Sequence, residues 1–209
     1  VADFGWVMTG PITTKYLADC GAEVIKIERP PMGDTLRTNA PFKDGVRGVN
    51  RAGRFNQCNS SKFSIALNLS RLKGKEVARK LIACSDVVLD NFSAGSIERM
   101  GLGYEELKKI KPDIIVLSSC GLGHTGPYAS NPAHGTGLAA VSGINQITGW
   151  PDREPAFLGV YTDFIGPHLN ALVIMAALDY RSRTGKGMYI DQSQHEGALH
   201  FMSPLILDY

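Results

Sequence analysis

Apolar positions along this chain follow two rhythms, and the rhythms alternate. Val1 to Phe4 reads as a short strand, and Pro11 to Cys20 follows at helical spacing, with Pro11 in its first turn and Gly21 as its stop. Glu23-Val24-Ile25-Lys26-Ile27-Glu28 alternates apolar with charged, the period of a second strand. Pro30 to Gly53 is rich in Pro, Gly and charge and predicts a long surface loop. Ser64 to Leu69 predicts a strand. Lys73 to Cys84 predicts a helix with Val77, Ala78, Leu81 and Ile82 on one face. Val87-Val88-Leu89 predicts a buried strand, then a turn at Asp90 to Ser93 and two short helices, Ala94 to Met100 and Tyr104 to Ile110, broken at Gly101-Leu102-Gly103. Ile114-Ile115-Val116-Leu117-Ser118 is the clearest strand, being β-branched, apolar and bounded by Pro112 and Gly121.

Strands alternating with helices imply an α/β fold: a Rossmann-like open parallel sheet with flanking helices, whose ligands bind beyond the carboxyl ends of the strands. Arg29, Asn91 and the Ser119–Gly123 turn all fall just past a strand end, on that edge. Further on, Asp163 precedes an almost wholly apolar segment, Leu169 to Leu178, that predicts a buried helix stopping at a glycine turn. An Asp at such a helix start serves as an N-cap, and a carboxylate held rigidly there also serves as a covalent nucleophile. Gly197 to Tyr209 predicts an amphipathic helix without a stop signal, and Val1 reads as a strand already under way, as in a piece of a longer protein.

With 209 residues, one core is the default, and no linker or repeat divides the chain. A net charge of +2 with scattered Lys and Arg gives no nucleic-acid face. No stretch reaches about 18 uninterrupted apolar residues, and no basic run precedes an apolar one near Val1, so neither a membrane span nor a signal peptide is read here. Cys20, Cys58, Cys84 and Cys120 have no metal spacing and are expected as free thiols in a cytoplasmic protein.

Several familiar chemistries lack their motifs. There is no GxGxxG after the first strand and no GxxxxGK[ST]; Gly121-Leu122-Gly123-His124-Thr125-Gly126 meets the dinucleotide spacing but runs into Pro127. That turn is better used to bring backbone amides close to a thioester oxygen. His195 and His200 are five apart and off one helix face, so no metal set forms, and Ser118 and Ser119 lie outside any GxSxG elbow. His134 stands alone among small residues, open to a structural role or to acid–base work.

An ordered series of motifs resembles the family III CoA-transferases, the CaiB/BaiF family. The series comprises Gly10-Pro11, Leu17-Ala18-Asp19, Gly21-Ala22-Glu23-Val24-Ile25-Lys26-Ile27-Glu28, Asp90-Asn91-Phe92, Arg99-Met100-Gly101, Gly123-His124-Thr125-Gly126-Pro127-Tyr128 and Thr184-Gly185-Lys186-Gly187. Each motif is weak alone, but their order from about Val1 to about Leu199 is specific. The resemblance implies that residues 1–209 are the CoA-binding large domain of a protein of roughly twice the length, which pairs as an interlocked homodimer. The small domain and the returning segment have no counterpart here. It also implies an acyl-CoA and a carboxylic acid as substrates, coenzyme A bound as substrate rather than as a permanent cofactor, and no metal, nucleic acid or membrane.

Residue by residue, the resemblance puts the catalytic aspartate at Asp163. In the transferases this carboxylate attacks the acyl-CoA thioester to form a mixed anhydride, and returning CoA thiolate gives an aspartyl-CoA thioester. Val7, Met8 and Thr9 fall where the family's backbone passes CoA, Arg29 near the phosphates, and Leu67 at the adenine. Asn91 and Phe92 fall at the pantetheine and nucleotide turn, with Arg99 and Met100 beside them. Basic residues that some members carry near Ser70 and Ala133 are absent, which shifts phosphate contacts toward Lys62 or Arg71. His134 falls where the 2-methylacyl-CoA racemase branch has its histidine, so a racemase using Asp163 and His134 as an acid/base pair is the alternative. An inactive CoA-binding half is a third reading. Thr148-Gly149-Trp150-Pro151-Asp152 and the surroundings of Asp163 are more similar to transferases. No residue selects the acyl group.

Overall fold

A computed structural model describes residues 1–208. The strands β1 (Ala2–Asp3), β2 (Ile25–Glu28), β3 (Phe63–Ala66), β4 (Val87–Asp90), β5 (Ile115–Cys120) and β6 (Met188–Ser193) form one parallel sheet in the order β3-β2-β1-β4-β5-β6. The expected open parallel sheet is therefore present, with a crevice where the winding reverses, between β1 and β4.

Side-chain parity along the central strands builds both layers. Val88 and Val116 face one side, onto Ala78 and Ile82 of α3 (Leu72–Ala83) and Leu107 of α5 (Tyr104–Ile110). Val87, Leu89, Ile115 and Leu117 face the other, onto Leu17 of α1 (Thr9–Asp19) and Ile174 and Ala177 of α7 (Thr162–Thr184). The sheet is covered on both faces, so these strands are continuous apolar runs rather than alternating ones. Each such Val, Leu or Ile contributes about 1.5–3 kcal/mol on burial.

Several expectations change. Two helices arise in segments read as loop or left unassigned: α2 (Gly53–Cys58) and α6 (Gly135–Val141). The Ala94–Met100 helix is shorter, α4 (Ser96–Arg99), because Gly95 takes a left-handed φ of 75° at its N-cap. The Pro30–Gly53 segment is largely exposed, as expected, yet it is anchored. Leu36 is buried with Met8, Ile12 and Phe55, and Phe42 bridges to Ala52. Asp163 does not cap its helix: Tyr161 holds the N-cap position and Asp163 lies inside the first turn. Nor is the apolar part of α7 wholly buried, because Leu172 and Met175 face away from the sheet and are more than half exposed. The C-terminal helix is two, α8 (Gln194–Phe201) and α9 (Ser203–Asp208), separated at Met202; the expected end at Tyr209 lies outside the described residues. All four cysteines are free, and no described helix is long and apolar enough to cross a membrane.

Candidate active site

The crevice begins where β1 ends. The chain must turn there to enter α1, and Gly5–Val7 makes the turn with the Gly5 and Trp6 amides and carbonyls and the Val7 amide held by side chains. Asp3 Oδ1 accepts from the Gly5 amide at 2.8 Å, and Lys26 Nζ donates to the Gly5 carbonyl at 2.6 Å. Asn91, just past β4, accepts from the Trp6 amide at 2.7 Å and donates to the Trp6 carbonyl at 2.9 Å. Asp34 accepts from the Val7 amide at 3.1 Å. Val7 sits at φ 64°, a conformation costly for a β-branched residue and maintained by these bonds. Gly10 allows the close approach, since a Cβ there would lie 2.8 Å from Asn91 Oδ1.

Beneath this turn lie two buried ion pairs, Lys26–Asp34 at 3.1 Å and Lys62–Asp3 at 3.0 Å. Lys62 also donates to the Pro11 carbonyl and to Asn59. The expectation that Lys62 reaches a phosphate is therefore corrected: at 1 % side-chain exposure, its ammonium is committed to the interior. Arg71 is exposed.

A cleft of about 250 Å³ runs from this turn to the start of α7. Of the residues singled out from sequence, Val7, Met8, Thr9, Asn91, Phe92, His134 and Asp163 line it together. A second hollow adjoins it through Trp6 and Phe92 and is lined by Arg29, Leu67 and Met100. Arg99 lines neither: it is exposed on α4 and donates to the Ser96 hydroxyl at 2.8 Å.

Four helix starts converge on Asp163. Its Oδ1 accepts from the Thr9 hydroxyl, at the first residue of α1, at 3.3 Å. Thr162 Oγ1 donates to the Gly135 carbonyl at 3.2 Å, which ties α7 to the start of α6. A Cβ on Gly135 would come within 2.9 Å of both carboxylate oxygens, so only glycine leaves the carboxylate its place. Gln194, the first residue of α8, donates to Thr9 Oγ1 at 2.9 Å. Burial pushes the Asp163 carboxyl above its ordinary range, while the Thr9 hydrogen bond and the His134 charge act against that. A partly desolvated carboxylate on a rigid helix turn, open to a cleft, is suited to attack an activated carbonyl.

The glycine turn after β5 borders the same cleft. The His124 amide donates to both Asp191 oxygens at 3.0 Å. That amide is engaged within the fold, while Gly121 and Leu122 of the same turn line the cleft. Among the described residues no group of His, Cys, Asp and Glu could hold a metal ion.

Sequence reasoning missed Gln194, Gly135 and Trp6. Gln194 carries no local signal, because its partner Thr9 is 185 positions away. Gly135 sits in a stretch whose two glycines disguise a helix.

The sequence profile of CoA-transferase family III matches residues 1–209. The chain belongs to that family. Acetyl-CoA:oxalate CoA-transferase from Acetobacter aceti is 39 % identical over 209 residues, covering 99 % of this chain and 52 % of its own length. Human succinyl-CoA:glutarate CoA-transferase is 36 % identical over 210 residues, covering 100 % of this chain and 47 % of its own length. A CaiB/BaiF family protein of known structure from Brucella suis superposes with a TM-score of 0.92 at 36 % identity, covering all of this chain and 55 % of that one. The chain spans about half the length of the curated relatives it matches. The family resemblance and the fold expected from the sequence are thus both present.

Proposed function

We propose that residues 1–209 form the CoA-binding large domain of a CoA-transferase that moves CoA from an acyl-CoA donor to a carboxylic acid, with Asp163 as nucleophile. The observation that carries this reading is the cleft itself: it joins the Gly5–Thr9 turn and the Asn91–Phe92 turn to a desolvated carboxylate that is free to be approached. In this reading the nucleotide end lies by Arg29, Leu67 and Met100, and the pantetheine passes Trp6 and Phe92 toward Asp163.

An Asp163 oxygen attacks the thioester carbonyl carbon, the C–S bond breaks, and CoA leaves as thiolate from a mixed anhydride. The thiolate then attacks the aspartyl carbonyl, releasing the donor acid as carboxylate and leaving an aspartyl-CoA thioester. The acceptor carboxylate repeats both steps in reverse, so no net proton is consumed. CoA remains tethered beside Asp163 throughout, which keeps the second attack effectively intramolecular. Relatives named for oxalate, citramalate, glutarate and mesaconate support a dicarboxylic acid as acceptor. The apolar residues left exposed on α7 (Leu172, Met175) and α9 (Leu205, Ile206, Leu207) are surface for the rest of a longer, dimeric protein to cover.

His134 lines the same cleft, and its charge acts on Asp163, the one observation that favours a 2-methylacyl-CoA racemase instead. That enzyme exchanges the α-proton with solvent deuterium and needs no acceptor; the transferase requires the acceptor and passes through a covalent adduct.

The test is intact mass spectrometry of the native-length protein with a panel of acyl-CoAs, wild type against Asp163→Asn. An acyl- or CoA-sized adduct that disappears in the variant is expected. An adduct that persists in Asp163→Asn removes the nucleophile from this position.

A further inference from the structure

Three helix starts, far apart in sequence, are joined by one hydroxyl. Thr9 Oγ1 opens α1, Asp163 lies in the first turn of α7, and Gln194 opens α8. Gly166 of α7 makes room for the junction: a Cβ there would stand 3.3 Å from Thr9 Cγ2 and 3.6 Å from Gln194 Cγ. A threonine hydroxyl has one proton and two polar neighbours here, so the direction in which it donates is decided by what those neighbours are. A carboxylate only accepts, whereas an amide side chain presents either an acceptor or a donor.

Gln194 presents its NH2 to Thr9 at 2.9 Å, leaving the hydroxyl proton for Asp163 Oδ1 at 3.3 Å. This is the favoured polarity, because a hydrogen bond to an ionised acceptor is the stronger one. The arrangement has a cost. Gln194 is 8 % exposed, and its Oε1 is buried without a hydrogen-bond partner. An apolar side chain of the same length would fill the space without that orphaned carbonyl. The amide is therefore placed here for what it does to Thr9.

We propose that Gln194 is a positioning residue that acts through Thr9: by donating to the threonine oxygen it commits the hydroxyl proton to Oδ1 of Asp163, which keeps the buried carboxylate ionised and leaves Oδ2 as the attacking oxygen. The inference rests on the assignment of Asp163 as nucleophile. Among the described residues, His134 is the titratable group whose charge acts on Asp163, while α1 and α8 present the neutral Thr9 and Gln194.

The test is the pH dependence of adduct formation in the native-length enzyme. Gln194→Glu keeps the shape but turns the donor into an acceptor, drawing the Thr9 proton away from Asp163 and adding a negative charge nearby. Thr9→Val removes the hydroxyl with little change in volume, and Thr9→Ser restores it. Gln194→Met removes the donor without adding charge and serves where the glutamate variant folds poorly. Gln194→Glu and Thr9→Val should each move the acidic limb upward by about one pH unit, slowing adduct formation about tenfold at pH values below the limb and little well above it. Gln194→Met should shift the limb in the same direction by less. Thr9→Ser should lie on the wild-type curve, and the apparent KM for acyl-CoA should change little in all four. The series is repeated with His134→Gln so that histidine titration does not carry the limb. A wild-type acidic limb in both Gln194 variants overturns the proposal, as does one in Thr9→Val. In either case an adduct still lost in Asp163→Asn keeps the nucleophile assignment, so the two failures are told apart.

Discussion

Replacing Gly135 by alanine is the sharpest probe of the carboxylate's position. The added methyl carbon would lie 2.7 Å from Asp163 Oδ2 and 2.9 Å from Oδ1, whereas ordinary contact begins at 3.4 Å. The carboxylate must therefore retreat by about 0.7 Å, the difference between 2.7 Å and 3.4 Å. The retreat also disturbs a Thr9 hydrogen bond already at 3.3 Å. Gly135 opens α6 and carries no left-handed φ, so alanine brings no backbone strain, and the helix gains up to about 1 kcal/mol of propensity. Misplacing a reacting group by about 1 Å costs on the order of 100-fold in rate, or about 2.7 kcal/mol of activation free energy. The expected result is a loss of roughly 30- to 100-fold in kcat/KM with a melting temperature within a few degrees of wild type. CoA-transfer kinetics alongside calorimetry would read both quantities. A Gly135→Ala enzyme with wild-type kcat/KM and an unchanged fold would refute the reasoning, because the carboxylate would then not need the place that glycine leaves it.

Two further outcomes follow from buried charge. Lys26→Met strips the partner from Asp34 and the donor from the Gly5 carbonyl, and should cost about 3–5 kcal/mol in urea unfolding, the penalty of a buried charge left alone; a loss under about 1 kcal/mol would contradict the pairing. Burial pushes the Asp90 carboxyl up to about 6 against the Ser118 hydroxyl and the Phe92 amide. A raised carboxyl pKa favours the protonated folded state, so its contribution is full below about 3.8 and is lost as pH rises through about 6. Asp90→Asn should flatten the stability curve across that window and raise stability at neutral pH by on the order of 1–3 kcal/mol, as read from melting temperature against pH. A curve of unchanged slope would contradict it.

Local apolar pattern marks out the sheet's interior and the order of its elements. Val87–Leu89 and Ile114–Leu117 are apolar at every position, which only a strand covered on both faces requires, and Gly21 marks a helix end through a left-handed φ of 98°. It also marked Asp163, through the apolar helix that follows and the family motifs around it. β6 escaped notice although Met188-Tyr189-Ile190-Asp191 alternates, because a half-exposed edge strand has a weaker pattern than a central one. Long-range packing settles the rest. Whether Lys62 meets a phosphate or the interior depends on Asp3, and whether α6 forms depends on Leu138 and Ala139 finding buried positions despite two glycines. The site itself is assembled from positions 9, 135, 163 and 194. Local propensity acts over a few residues, whereas a hydroxyl shared between Asp163 and Gln194 exists only once the sheet has brought their helix starts to one edge.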